Sequence, residues 1–241
     1  MKIVNLKEVN STNDYLRSHF AGDAEDMVVA TAEYQNASRG QGGNSWESEA
    51  GKNLLFSILI HPLTVPPSGQ FVISMAISIA IRKALSVYID DVSIKWPNDI
   101  YCGDKKICGI LIENRLRGGK ICDCILGIGV NINQRIFVSD APNPVSLYQL
   151  LGRDIAPEEV LHRIIDLFGI YTREMSSGDY AVIRQEYKLS LYRRSGYFRY
   201  CDIGGDFEAE LLDVADDGHL LLRDSQGKMR SYAFKEVKYL I

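Results

Sequence analysis

Residues 31–46, TAEYQNASRGQGGNSW, follow a strand-like run and combine three glycines, one arginine and a closing tryptophan. Gly40, Gly42 and Gly43 let backbone amides approach an anion without a Cβ in the way. Arg39 offers a planar five-donor fork, and Trp46 offers a broad face for a flat apolar ligand. Flexible connectors share this composition, so the loop alone leaves both readings open. Residues 93–113, SIKWPNDIYCGDKKICGILIE, add Lys95, Asn98, Asp99, Lys105 and Lys106 between two strand-like runs. Asn98-Asp99 after Pro97 is good turn chemistry. Lys106 opens the β-branched run 107–112, which reads as a buried strand, so its ammonium belongs at a sheet end facing a cleft or solvent.

The elements that must position these residues follow from periodicity. Strands are predicted at about 2–7, 27–34, 53–61, 92–96, 106–116 and 120–132, and helices at about 12–20 and 70–88. Ser11 or Thr12 can cap the first helix, and such caps also aim amides outward. Helical patterns recur at 146–151, at 157–175 with Pro157 in the first turn, and at 180–191. From Gly196 onward, short β-rich runs separated by Gly204-Gly205, Asp216-Asp217-Gly218 and Gln226-Gly227 read as the hairpins of a small barrel. The order is α+β, with a domain boundary near residue 190.

A chain of 241 residues, 46% hydrophobic and 24% charged, can bury one large core and one small one. A net charge of −4 argues against a dedicated nucleic-acid binder. Cys102, Cys108, Cys122, Cys124 and Cys201 are odd in number and lack paired spacing, which fits free thiols in a reducing cytosol rather than a zinc site. The N-terminus has no signal-peptide core, and the most apolar run, 71–81, is too short to span a bilayer. The expected location is the cytoplasm, with no membrane contact.

Ser11-Thr12-Asn13, the Arg39–Trp46 loop, Lys95-Trp96-Pro97-Asn98-Asp99 with Lys106 and Gly109-Ile110-Leu111, and Gly127-Ile128-Gly129-Val130-Asn131-Ile132-Asn133 stand in one order. Together they resemble the motifs of the biotin protein ligases. The resemblance is strong over 4–135, weak over 136–188 and modest beyond. It implies a mixed-sheet catalytic domain of the biotin/lipoate ligase type at 1–189 and a small SH3-like β-barrel at 190–241. Such an enzyme uses ATP, with Mg2+, to convert biotin into biotinyl-5'-AMP and passes the biotin to a lysine of a biotin carboxyl carrier protein. The first step must hold two anions together, a carboxylate and an α-phosphate, which needs fixed positive charge and backbone amides.

By the same resemblance Ser11, Thr12, Asn13, Gln35, Gly40, Gln41 and Gly109 contact biotin, and Lys106 and Arg39 are catalytic and also meet the biotin. Arg39, Trp46, Lys95, Asn98 and Asn131 contact the adenylate, and Asp99 meets magnesium. The chain departs from the family pattern in three places. Ten residues precede the Ser-Thr-Asn triplet, so DNA binding is not expected. Ser38 replaces a glycine, and Gln41 stands where many members carry a second arginine. Lipoate or octanoate ligases share the chemistry, and a non-catalytic ligand-binding module is the reading from another class. Intact Arg39, Lys106 and Asn131 speak for catalysis, and the sequence leaves a homodimer open.

Overall fold

The structure is a computed structural model that describes residues 1–22, 25–40, 43–139 and 141–241. Its larger part is a seven-stranded mixed sheet in the order β1-β2-β3-β7-β6-β5-β4. These strands are β1 (Lys2–Val9), β2 (Met27–Gln35), β3 (Leu54–Ile60), β4 (Val92–Lys95), β5 (Asp99–Cys102), β6 (Lys105–Arg117) and β7 (Lys120–Val130). Only β1 and β2 run parallel, joined through helix α1 (Thr12–Phe20), and every other pairing is antiparallel.

β3, LLFSILI, is buried along its whole length because helices cover both faces of the sheet centre. One face packs on α2 (Phe71–Leu85), behind which lie α4 (Pro157–Ser177) and α5 (Ala181–Leu189). α2 is apolar nearly all round, and its Ala76, Ala80 and Ala84 are fully buried against their neighbours. The other face takes α1 alone. There Leu16, Val28, Ala30, Leu59 and Ile125 form a separate small core. Full burial of Leu16 contributes about 1.5–3 kcal/mol to that docking.

The caps follow the sequence. Ser11 caps α1, a Ser146–Gln149 capping box opens α3 (Leu147–Leu151), and Gly178 closes α4 in the left-handed region at φ 79°. One strand was not foreseen. β5 occupies part of what reads as a turn, because Pro97 and Asn98 reverse the chain tightly enough for residues 99–102 to pair back on β4.

A five-stranded antiparallel sheet follows, in the order β11-β10-β9-β8-β12. It comprises β8 (Tyr197–Asp202), β9 (Gly205–Val214), β10 (Leu220–Asp224), β11 (Met229–Tyr232) and β12 (Lys238–Tyr239). It is fastened to the first sheet at β4. The Ile94 amide donates to the Ser190 carbonyl at 2.8 Å, and the Tyr192 amide returns a bond to the Ile94 carbonyl at 2.9 Å. The Trp96 indole donates to the Gly218 carbonyl at 2.9 Å, and Phe234 meets the rings of Trp96 and Phe71 edge-on.

Candidate active site

Strand register builds the site. On the α1 face, Val28, Leu59, Ile125 and Glu113 lie in one row across the sheet, and Ala30, Ser57, Gly127 and Leu111 in the next. The row after that runs Ala32, Leu55, Gly129, Gly109, Asp99 and Lys95. The first row is roofed by α1, and the third opens into a cleft of about 240 Å³. Two neighbouring glycines leave the floor of that cleft bare. The Trp46 indole lies across both: a Cβ on Gly129 would stand 2.5 Å from its Cε2, and one on Gly109 2.8 Å from its Cζ3.

The closed end of the cleft is polar and fully wired. The Thr12 amide donates to Gln35 Oε1 at 2.8 Å, and the Thr12 hydroxyl lies 3.2 Å from the same oxygen and 2.6 Å from the Ser57 hydroxyl. Ser57 donates to Asn13 Oδ1, and Asn13 Nδ2 donates to Glu113 Oε2 at 2.6 Å. Gly127 must be glycine, since a Cβ there would collide with the Asn13 amide. Ser57, Glu113 and Asp14 were missed in the sequence reading. A lone serine inside the apolar run of β3 was the one available signal.

Charge gathers at the middle. Lys106 Nζ is 2.6 Å from Asp99 Oδ1 and 5.6 Å from the centre of the Trp46 ring. Its backbone is pinned by a bond from its amide to the Asn143 carbonyl at 2.7 Å and one from the Val145 amide to its own carbonyl at 2.9 Å. The Arg39 guanidinium reaches a carboxylate on α1. It donates to Asp14 Oδ1 at 2.6 Å, the same oxygen that accepts from Arg17, and its side chain is 47% exposed. An antiparallel bridge joins Arg39 to Ser45, and Ser38 Oγ donates to the Trp46 carbonyl. Gly40 lines the same cleft. Gln41 lies outside the described residues.

A second cleft of about 400 Å³ adjoins the first and shares Trp46, Asp99 and Lys106 with it. It adds Lys95 and Asn131. The Lys95 ammonium sits 5.1 Å from the Tyr101 ring centre and 4.9 Å from that of Tyr239 in β12. Burial pushes its pKa down, against the pull of Asp99. Asn131 is 2% exposed, donates to the Val145 carbonyl at 3.1 Å, and leaves its buried Oδ1 unpartnered. Asn98 lines the first cleft, but its amide donates to the Ile110 carbonyl and its own carbonyl accepts from the Ile110 amide at 3.0 Å. These bonds tie the β4–β5 turn to β6, and Asn98 does not line the second cleft. Lys235, in the turn between β11 and β12, also lines the first cleft.

The sequence profile of the biotin/lipoate A/B protein ligase family matches residues 6–131, more than half of the chain. The chain belongs to that family. It is 27% identical over 219 residues to the bifunctional ligase/repressor BirA of Bacillus subtilis, covering 88% of this chain and 66% of that protein. It thus spans just under two thirds of that relative's length. It is 28% identical over 231 residues to the biotin–[acetyl-CoA-carboxylase] ligase of Paracoccus denitrificans, covering 92% and 95% of the two chains. The biotin protein ligase of Aquifex aeolicus, solved in complex with biotin and ATP, superposes with a TM-score of 0.82 over 99% of both chains at 23% identity. At that identity the likeness shows a shared fold.

Proposed function

We propose that this chain is a biotin protein ligase, which activates biotin with ATP and transfers it to a lysine of a biotin carboxyl carrier domain. One observation carries the reading. A single cleft holds hydrogen-bonding groups at its closed end, a glycine floor under an indole in its middle, and Lys106 where it meets a second cleft. A cyclic urea offers one acceptor and two donors, which suits the end formed by Ser11, Thr12, Asn13 and Gln35. The dithiolane of lipoate or the chain end of octanoate would desolvate those groups without offering them a hydrogen bond in return.

In the first step the carboxylate oxygen attacks the α-phosphorus, and the bond to pyrophosphate breaks. Lys106 supports both anions, while Trp46 and the loop exclude water from the mixed anhydride. In the second step the acceptor amine attacks the acyl carbon and loses its proton to solvent, and AMP leaves with the C–O bonding pair. Asn131, with its free Oδ1, and Lys95 belong to the nucleotide side. The Asp99 carboxylate would hold a magnesium ion, with phosphate oxygens able to supply further ligands. When bound, such an ion offsets charge on the departing pyrophosphate.

The same reading extends to a cytoplasmic setting. No helix among the described residues is long and apolar enough to cross a membrane. Incubating the chain with biotin, ATP and an isolated carrier domain tests the proposal. A mass increase of one biotinyl group on a single lysine is expected. An unmodified carrier with the full mixture would overturn it.

A further inference from the structure

Glu47 follows Trp46 on the segment that returns from the glycine loop to β3, and its carboxylate receives four donors from a distant stretch of chain. Oε1 accepts from Gln134 Nε2 at 3.1 Å and from the Val138 amide at 2.8 Å, and Oε2 accepts from the Ser139 amide at 3.0 Å and from the Ser139 hydroxyl. Asn131, Phe137 and Ser139 form a wall of the second cleft. Trp46 covers the floor of the first. One side chain therefore joins the tips of the two segments that enclose the two clefts.

The roots of these segments are joined as well. Gln134 Oε1, at the buried base, accepts from the Glu49 amide at 3.1 Å and from Asn53 Nδ2, while Asn53 Oδ1 accepts from the Ile132 amide at 3.0 Å. Ile136 and Val138 are 72% and 85% exposed. Ile136 and Val138 therefore add little apolar anchoring, and the bonds to Glu47 hold residues 138–139, as those from Gln134 Nε2 to the Ile136 carbonyl and from Gln149 Nε2 to the Arg135 carbonyl hold residues 135–136. Burial of Glu47 works against its charge, yet the bonds from Ser139, from the Val138 and Ser139 amides and from Gln134 outweigh it and hold the carboxyl below its usual range. A lowered carboxyl pKa means that this clamp is fully present above the ordinary value of 4.5 and is lost only as pH falls through the lowered one.

We infer that Glu47 is a positioning residue that couples closure of the first cleft over the carboxylic acid to closure of the second over the nucleotide. The inference rests on the assignment of the two clefts proposed above. Ordering one segment pre-orders the other, so each substrate meets a smaller entropic cost once its companion is bound. By linkage the effect is reciprocal.

Calorimetric titration of the full chain with an ATP analogue carrying a methylene between the α- and β-phosphorus, with and without saturating biotin, reads this coupling. Biotin is expected to tighten analogue binding by about tenfold in the unaltered protein. Glu47→Ala brings that factor close to one, and Glu47→Gln, which keeps one acceptor oxygen, falls between. Ser139→Ala removes one donor from the opposite segment without touching Glu47's own, and is expected to lower the factor as well. Non-additivity of the double variant shows that the two residues act through one contact. A loop anchor without a coupling role would weaken both titrations equally and leave the factor unchanged, which overturns the inference. So does a factor of one in the unaltered protein when both ligands bind. If neither biotin nor the analogue binds at all, the proposed function itself falls.

Discussion

Lys106 and the glycines beneath Trp46 carry the account at the scale of single residues. Lys106→Ala is expected to lower adenylate formation by two to four powers of ten, about 3–5 kcal/mol, in pyrophosphate exchange. Unfolding stability should change little, since the Lys106–Asp99 pair is partly solvated at 27% and 17% side-chain exposure. Exchange near the original rate would remove Lys106 from the chemistry. Gly129→Ala tests the floor. Its new Cβ would stand within 2.5 Å of the indole and must displace it. We expect KM for biotin to rise about tenfold, roughly 1.4 kcal/mol, with a shifted Trp46 fluorescence and a nearly unchanged melting temperature. Unaltered kinetics would mean that Trp46 does not cover the bound substrate.

At the scale of elements, the segment between β2 and β3 behaves as a lid in this account. Arg39 and Asp14 hold it to α1 through an exposed ion pair, an interaction worth about 0–1 kcal/mol and easily exchanged for a better one. Hydrogen exchange in residues 36–51 should slow when biotin and ATP are added together. Identical protection with and without them would contradict a lid. Much of this was legible in the sequence, because glycine-rich loops, helix caps and strand periodicity are local signals. Thr12 as a helix cap and Lys106 at a strand end stand out in that way, whereas Gln35 enters only through the family resemblance. Ser57, Glu113 and Asp14 were not, because their partners are chosen by register: a one-residue slip of β3 or β6 would turn Ser57 and Glu113 to the opposite face. Strand β5 was hidden for a related reason. Four residues pairing on both sides have too little length to show a period of their own.

On the scale of the whole molecule, the two sheets share the site. Residues 190–241 carry none of the matched ligase motifs. The structure adds that Lys235 lines the first cleft while Phe234 anchors its turn on Trp96 and Phe71. Lys235 holds a left-handed backbone at φ 72°, which costs a lysine about 1 kcal/mol relative to glycine. Lys235→Gly should therefore raise the melting temperature by about 2–4 °C and at the same time slow exchange. A rise in stability with unchanged activity would leave the second sheet without a part in the chemistry.

The central claim is that the first cleft selects biotin for activation by ATP, and acceptor-free exchange of labelled pyrophosphate into ATP by the full chain tests it most directly. Lipoate and octanoate should be run beside biotin. Exchange is expected with biotin and at least about a hundredfold less with either of the others, because a site built to hydrogen-bond a polar ring rejects ligands that lack one. Equal exchange with lipoate or octanoate, or none with biotin, would contradict the account.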